Sequence, residues 1–257
     1  MEKEILIIAY VLFAVVGFCI GSFLNVVVYR LPEGMSLAKP ASHCPKCGKP
    51  IKWYDNIPIL SFIFLGGKCR NCKAKISARY PVVEGVCGAL FLISALLFFE
   101  TSPTYAVIVA LSLATLISVF IIDLEHTYIP DRLTIILAVL GVIAVFFDPK
   151  YAWADHLIGL AAGAFFLALY YGSLALLKKE GLGFGDVKLA FALGLLLGWQ
   201  KAILVILLSS LAACAVIIPI KNSGKKEFPF APFLAAATAV ALLAGNFILD
   251  FYVSAFL

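Results

Sequence analysis

Four cysteines in two close pairs and two aspartates at the ends of apolar runs are the residues of this chain best suited to chemistry. The cysteines form the knuckles Cys44-Pro45-Lys46-Cys47-Gly48 and Cys69-Arg70-Asn71-Cys72. Thiolates two residues apart can hold one metal from a tight turn, and a second such pair closes a tetrahedral shell with no open position for water. That is the pattern of a structural zinc site. Two disulfides are the competing reading, and the compartment decides between them. His43, beside Cys44, is a further candidate ligand, though four thiolates already complete the shell. Cys19, Cys87 and Cys214 fall inside apolar runs and read as small packing residues.

The chain carries 15 acidic residues, and carboxylates in or at the edge of a membrane are functional candidates by default. Most, including Asp55, Asp148, Asp155, Glu180, Glu227 and Asp250, fall in loops or near chain ends and read as solvated. Glu84, Asp123, Glu125, Asp131 and Asp186 remain. Asp123 ends the apolar run Leu111 to Ile122 with no polar preamble. Asp186 closes Gly181-Leu182-Gly183-Phe184-Gly185-Asp186, whose glycines permit a close backbone approach and unusual φ values. No strand precedes this turn and no GK[ST] follows it, which discounts a phosphate loop. Two carboxylates meeting in a partly dry site cannot both ionise easily. They share a proton, so one acts as base toward water while the other donates to a carbonyl, which is aspartyl protease chemistry. The bland alternative is one helix cap plus one ion pair with Lys188.

The elements that must position these groups are membrane helices. Of 257 residues, 63% are hydrophobic and 14% charged, with mean hydropathy +1.04. The apolar runs approach the ~20 residues that cross a bilayer as a helix, and none alternates as barrel strands do. The pattern predicts an all-α polytopic protein of about eight transmembrane helices, near 5–29, 81–100, 104–122, 132–147, 153–177, 186–199, 201–220 and 230–255. The first is too long for a signal-peptide core and is expected to be retained. Residues 186–199 are short enough to be re-entrant. The expected organisation is a first transmembrane helix at 1–29, a zinc-binding insert at 30–80 and a transmembrane core at 81–257.

Basic residues mark cytoplasmic loops. With eight spans, all of the 20 basic residues except Lys3, Lys150 and Lys201 fall on one side, which also receives the insert, Asp123 and Asp186. Both termini are then expected outside, with the active site on the cytoplasmic side. In that reducing compartment zinc is favoured over disulfides. A metal also supplies what an insert of this size cannot build as a core. Topology accounts for the net charge of +5, so no nucleic-acid partner is expected; the lipid bilayer is. Two rival functions use the same residues: a proton-coupled transporter with a midplane acid relay, and a noncatalytic pilus or secretion scaffold.

Five motifs occur in order: Gly21-Ser22-Phe23-Leu24-Asn25 through Arg30-Leu31-Pro32, the cysteine knuckles, Ala78-Arg79-Tyr80-Pro81-Val82-Val83-Glu84, the segment Asp123 to Asp131, and the Gly-Phe-Gly-Asp turn. In these the chain, from about Val16 to Trp199, resembles the bacterial type IV prepilin peptidases, intramembrane aspartyl proteases of the GxGD type. The resemblance implies that Asp123 and Asp186 are the catalytic pair and that Asp131 caps the next helix. The implied reaction removes the basic leader of type IV prepilins or pseudopilins after a glycine, at the cytoplasmic face of the bacterial inner membrane. Relatives with the complete cysteine-bearing insert also methylate the new N-terminus with S-adenosylmethionine, and Gly67 and Lys68 match a G-K-C element linked to that transfer. The last 55 or so residues resemble the family only in being hydrophobic.

Overall fold

A bilayer offers no water to backbone N–H and C=O groups, so an apolar chain must satisfy them within helices. The computed structural model describes residues 2–178, 181–220 and 228–256. Its helices are α1 (Glu2–Arg30), α2 (Leu60–Phe64), α3 (Arg79–Phe98), α4 (Pro103–His126), α5 (Asp131–Phe147), α6 (Trp153–Leu177), α7 (Phe184–Leu197), α8 (Trp199–Ile220) and α9 (Ala231–Phe256). Among the described residues the strand-like pairings are isolated bridges, His43 with Pro50 and Lys68 with Lys75. A helix occupies each of the eight expected spans. Six of them are long and apolar enough to cross a membrane, while α5 has 17 residues and α7 only 14. At ~1.5 Å per residue α7 is about 21 Å long. Lys179, Glu180, the basic cluster Lys221, Lys225 and Lys226, and Glu227 lie outside the described residues.

The chain divides into two compact units, residues 1–96 and 97–257. In the first, α1 and α3 pack through glycine. A Cβ on Gly17 would stand 2.7 Å from the Phe91 Cβ, and one on Gly21 would stand 2.7 Å from the Glu84 Cα. Small residues let membrane helices meet backbone to backbone. The Asn25 amide then bridges them, donating to the Gly21 and Tyr80 carbonyls at 3.2 and 3.3 Å. Between residues 31 and 78 the only buried residue is Cys44, so the insert has almost no apolar core. Asp55, expected to be solvated, instead accepts a two-pronged contact from Arg70, the closest approach being 2.6 Å, and so ties the second knuckle to the turn at Trp53–Asn56.

In the second unit α4 is the most buried span. Its buried hydroxyls find partners one turn back, Ser112 donating to the Ile108 carbonyl and Thr115 to that of Leu111. The short α7 packs chiefly against α6 and α5. A Cβ on Gly159 would overlap the Gly194 carbonyl, and one on Gly141 would lie 3.0 Å from the Leu196 nitrogen. Gly198, at φ +76°, separates α7 from α8.

At the end of this unit remote from Asp123, a polar network departs from expectation. Asp148, read as a solvated loop acid, has a side chain only 2% exposed. Its Oδ1 accepts the backbone N–H groups of Lys150 and Tyr151 at 2.9 and 3.2 Å. Its Oδ2 faces the buried Nε2 of His156 at 3.8 Å. Lys201 is 1% exposed, sits 4.8 Å over the Tyr151 ring and interacts with the Asp148 charge. Asp155 receives the Ala152 amide and the Trp199 indole N–H, joining the start of α6 to that of α8. Removing one member of a buried charge cluster strands the others. Asp148→Ala is therefore expected to destabilise the detergent-solubilised protein by about 3 kcal/mol, measured as a lowered unfolding midpoint in denaturant.

Candidate active site

Asp123 lies in the last turn of α4, beside the fully buried Val119 and Ile122, and is itself only 5% exposed. The helix stops through Thr127, whose backbone takes the left-handed conformation at φ +51° and donates its N–H to the Asp123 carbonyl at 2.9 Å. A β-branched residue rarely holds that conformation; here it turns the chain so that Ile129 and Pro130 fold back into the bundle, where both are buried. Asp186 is the third residue of α7 and 9% exposed.

The two motifs meet. A Cβ at Gly185 would lie 3.4 Å from the Ile129 side chain, so the glycine turn rests on the segment that follows Asp123. The Asp186 and Asp123 carboxylates interact electrostatically. Each also interacts with a backbone amide at a helix N-terminus: Asp186 with that of Gly183, the N-cap of its own helix, and Asp123 with that of Ala231, which opens α9. Helix N-termini suit such groups because their first amides lack intrahelical partners. The remaining oxygens, Asp123 Oδ2 and Asp186 Oδ1, are buried and have no hydrogen-bond partner among the described residues. Two carboxylates so arranged can bind a water and divide the roles of base and acid toward a carbonyl.

The glycines act through space, not through unusual backbone angles. Gly183 has φ −69°, and neither it nor Gly185 lies in the left-handed region. A Cβ on Gly183 would come within 3.1 Å of Asp186 Oδ2. The ion pair considered for Asp186 forms elsewhere: Lys188 pairs with Asp131 at 2.7 Å on the exposed surface. Asp131 is not the N-cap of α5, which is Pro130, but its first residue. Glu84, another candidate acid, is 7% exposed and accepts the Ile59 N–H at 2.7 Å, fixing a residue at φ +60°. Glu125 is exposed. Sequence reasoning missed Ala231, because the C-terminal segment carries no catalytic residue type. The prolines flanking it, Pro229 and Pro232, were the available sign of a helix start.

In the first unit the sulfurs of Cys44, Cys47, Cys69 and Cys72 lie within 4.8 Å of one another. The Cys44 and Cys72 sulfurs are 3.8 Å apart, the edge of a tetrahedron with Zn–S bonds of about 2.3 Å. Backbone amides of Cys47 and Lys46 bring the Cys44 thiol down to about 6. The Ala74 amide also pulls on Cys72, but burial and the neighbouring sulfurs push that thiol up to about 11. Four thiols crowded this way cannot all ionise without a cation among them. His43 is outside the cluster, its Nδ1 3.0 Å from the Ala41 carbonyl. Gly67 and Lys68 form the turn into the second knuckle. Gly67 is at φ +66° and donates to the Phe62 carbonyl at 2.9 Å, and Lys68 bridges Lys75.

Residues 15–98 match the Bacterial Peptidase A24 N-terminal domain, and residues 109–218 match the Type IV leader peptidase family. A protein of Aeromonas salmonicida (strain A449) named prepilin leader peptidase/N-methyltransferase is 38% identical, the match covering 93% of this chain and 91% of the relative. Proteins of the same name from Burkholderia pseudomallei (strain 1026b) and Pseudomonas aeruginosa are each 36% identical, over 90% and 93% of this chain and 84% and 92% of theirs. No solved structure matches significantly. With relatives this similar over most of their length, and with two family models matching residues 15–98 and 109–218, the chain belongs to the type IV leader peptidase family.

Proposed function

We propose that this chain is an aspartic endopeptidase of the membrane that removes the basic leader from prepilins or pseudopilins, with Asp123 and Asp186 as the catalytic pair. The observation that carries this reading is the interaction of two buried carboxylates, each retaining a buried oxygen without a hydrogen-bond partner among the described residues. A water between Asp123 Oδ2 and Asp186 Oδ1 loses a proton to one carboxylate as its oxygen attacks the scissile carbonyl carbon. The other carboxylate, protonated, donates to the carbonyl oxygen. Collapse of the tetrahedral intermediate breaks the C–N bond, and the departing amine takes up a proton from the pair. No acyl-enzyme forms. The pair titrates as one unit, so the starting base is a property of both residues together. The bare backbone at Gly183 and Gly185 leaves room for an extended leader beside Asp186.

The distribution of basic residues supports an inner-membrane orientation with both termini outside and the carboxylates on the cytoplasmic side, where a positively charged leader would remain. A transporter relay is disfavoured because Asp123 and Asp186 occupy a last and a first helical turn. The relatives' names join a second activity to the first. S-adenosylmethionine would supply an electrophilic methyl group to the amine that cleavage exposes. Gly67 and Lys68 are proposed to act in that transfer through the turn they build at the second knuckle.

Zinc would be held by Cys44, Cys47, Cys69 and Cys72. Its role is structural, because the four thiolates fill its shell.

Purified Asp123→Asn and Asp186→Asn proteins are expected to unfold at the wild-type midpoint and to cleave a prepilin about a thousandfold more slowly or worse. Either variant cleaving at the wild-type rate overturns the assignment. Mass spectrometry of the wild-type product should show one added methylene only when S-adenosylmethionine is present. Gly185→Val should slow cleavage while the protein still folds, since its side chain would press on Ile129. Metal analysis should find one zinc per chain, lost in Cys44→Ser together with protease resistance of residues 30–80.

A further inference from the structure

The insert between α1 and α3 leaves its apolar side chains outside. Polar contacts shape its start, where the Arg30 guanidinium at the end of α1 donates to the carbonyls of Ser36 at 3.0 Å, Leu37 at 3.3 Å and Pro40 at 2.7 Å. The short α2 has no core to join: its Leu60, Ile63 and Phe64 are 51%, 64% and 84% exposed. At spacings of three and four residues these three share one helical face. Another face is taken, since Phe62 lies under Gly67, where a Cβ would stand 3.2 Å from its ring. Trp53, in the turn before α2, is also exposed.

The level of this apolar face follows from its attachment to α3. Glu84 accepts the N–H of Ile59, immediately before α2, at 2.7 Å, and a Cβ on Gly85 would lie 3.8 Å from the Ile59 side chain. Glu84 is the sixth residue of α3, about 7 Å along a helix that rises ~1.5 Å per residue. With 20 residues α3 is about 30 Å long, no more than the hydrocarbon it has to cross. Ile59 is thus held inside the boundary of the hydrocarbon, and α2 starts there. At that depth a surface not covered by protein meets lipid, and apolar side chains favour acyl chains over water.

The insert that carries this face is basic. Between residues 31 and 78 stand eight lysines and arginines against two acids, Glu33 and Asp55, and Asp55 is committed to Arg70. All eight basic residues are exposed. Lys52 precedes Trp53, and Lys68 follows the turn that closes α2. Four thiolates around a zinc carry two net negative charges, which still leaves the balance positive.

We propose that α2 lies in the bilayer interface, with Leu60, Ile63 and Phe64 among the acyl chains and the insert's lysines against anionic phospholipid headgroups. The insert is then seated on the leaflet and does not stand free above it. An apolar face and a basic patch together supply the two signals that hold a segment at a membrane surface. The proposal rests on α1 and α3 crossing the membrane and is independent of the assignment of Asp123 and Asp186.

The test is photocrosslinking of the full-length protein carrying Phe64→p-benzoylphenylalanine, reconstituted into vesicles of equal parts phosphatidylglycerol and phosphatidylcholine, with the adducts weighed by mass spectrometry. Phe247→p-benzoylphenylalanine, at an exposed position of α9, is the reference for a lipid-facing site. Position 64 should capture lipid, phosphatidylglycerol at least twofold over phosphatidylcholine. Adding Lys52→Glu, Lys73→Glu and Lys75→Glu should bring that ratio to parity while lipid adducts persist. Capture of another segment of the chain or of a second copy in place of lipid overturns the proposal, as does no capture at position 64 where position 247 captures lipid; the membrane reading then stands. A ratio already at parity, or one that the three lysine substitutions leave unchanged, overturns the anionic contact. If neither position captures lipid, the membrane reading falls and the proposal with it.

Discussion

Two buried carboxylates that interact electrostatically, with no basic side chain paired to either among the described residues, are the constraint on which the second unit depends. A charge in a helical membrane protein is costly unless something answers it, and the answer here is backbone. Asp186 stands at an α7 N-terminus and Asp123 faces the start of α9. Amides placed this way provide polarity without supplying a counter-ion that would lock both groups as carboxylates. The lysine nearest in sequence, Lys188, is occupied by Asp131 at the surface.

That arrangement explains why α7 is short. A helix whose first turn must present a carboxylate to the end of α4, and whose last residue is followed by Gly198 at φ +76°, has room for only 14 residues. It compensates by packing closely: Gly159 on α6 and Gly141 on α5 leave no side chain between their helices and α7. The remote end of the unit is held by Asp148, His156 and Lys201. Among the described residues, one end of the bundle thus leaves carboxylate oxygens without hydrogen-bond partners, while the other uses Asp148, His156 and Lys201 to hold loop and helices together.

The first unit meets a different constraint. Its insert buries almost nothing, so hydrophobic burial cannot define its shape. The cluster of four cysteine sulfurs, the Asp55–Arg70 contact and the Arg30 contacts to three carbonyls take over that role. All three are polar and local, which lets a small segment hold its shape without a core.

The sequence by itself determined the helical class, because runs of this length and apolarity leave no other way to satisfy the backbone in lipid. It marked the four cysteines that come together, since two-residue spacing places both thiols of a knuckle on one turn, and it singled out Asp123 and Asp186 by their positions at run ends. Tertiary structure decided what spacing cannot encode. The space at Gly185 is set by Ile129, far away in the chain, and its φ proved ordinary. The amide facing Asp123 comes from α9, whose sequence bears no reactive side chain. Asp148 looked solvated because it stands at the end of an apolar run, yet its side chain is buried, as is Lys201. Helix periodicity reports which segments leave water; which polar groups then meet depends on how the helices pack.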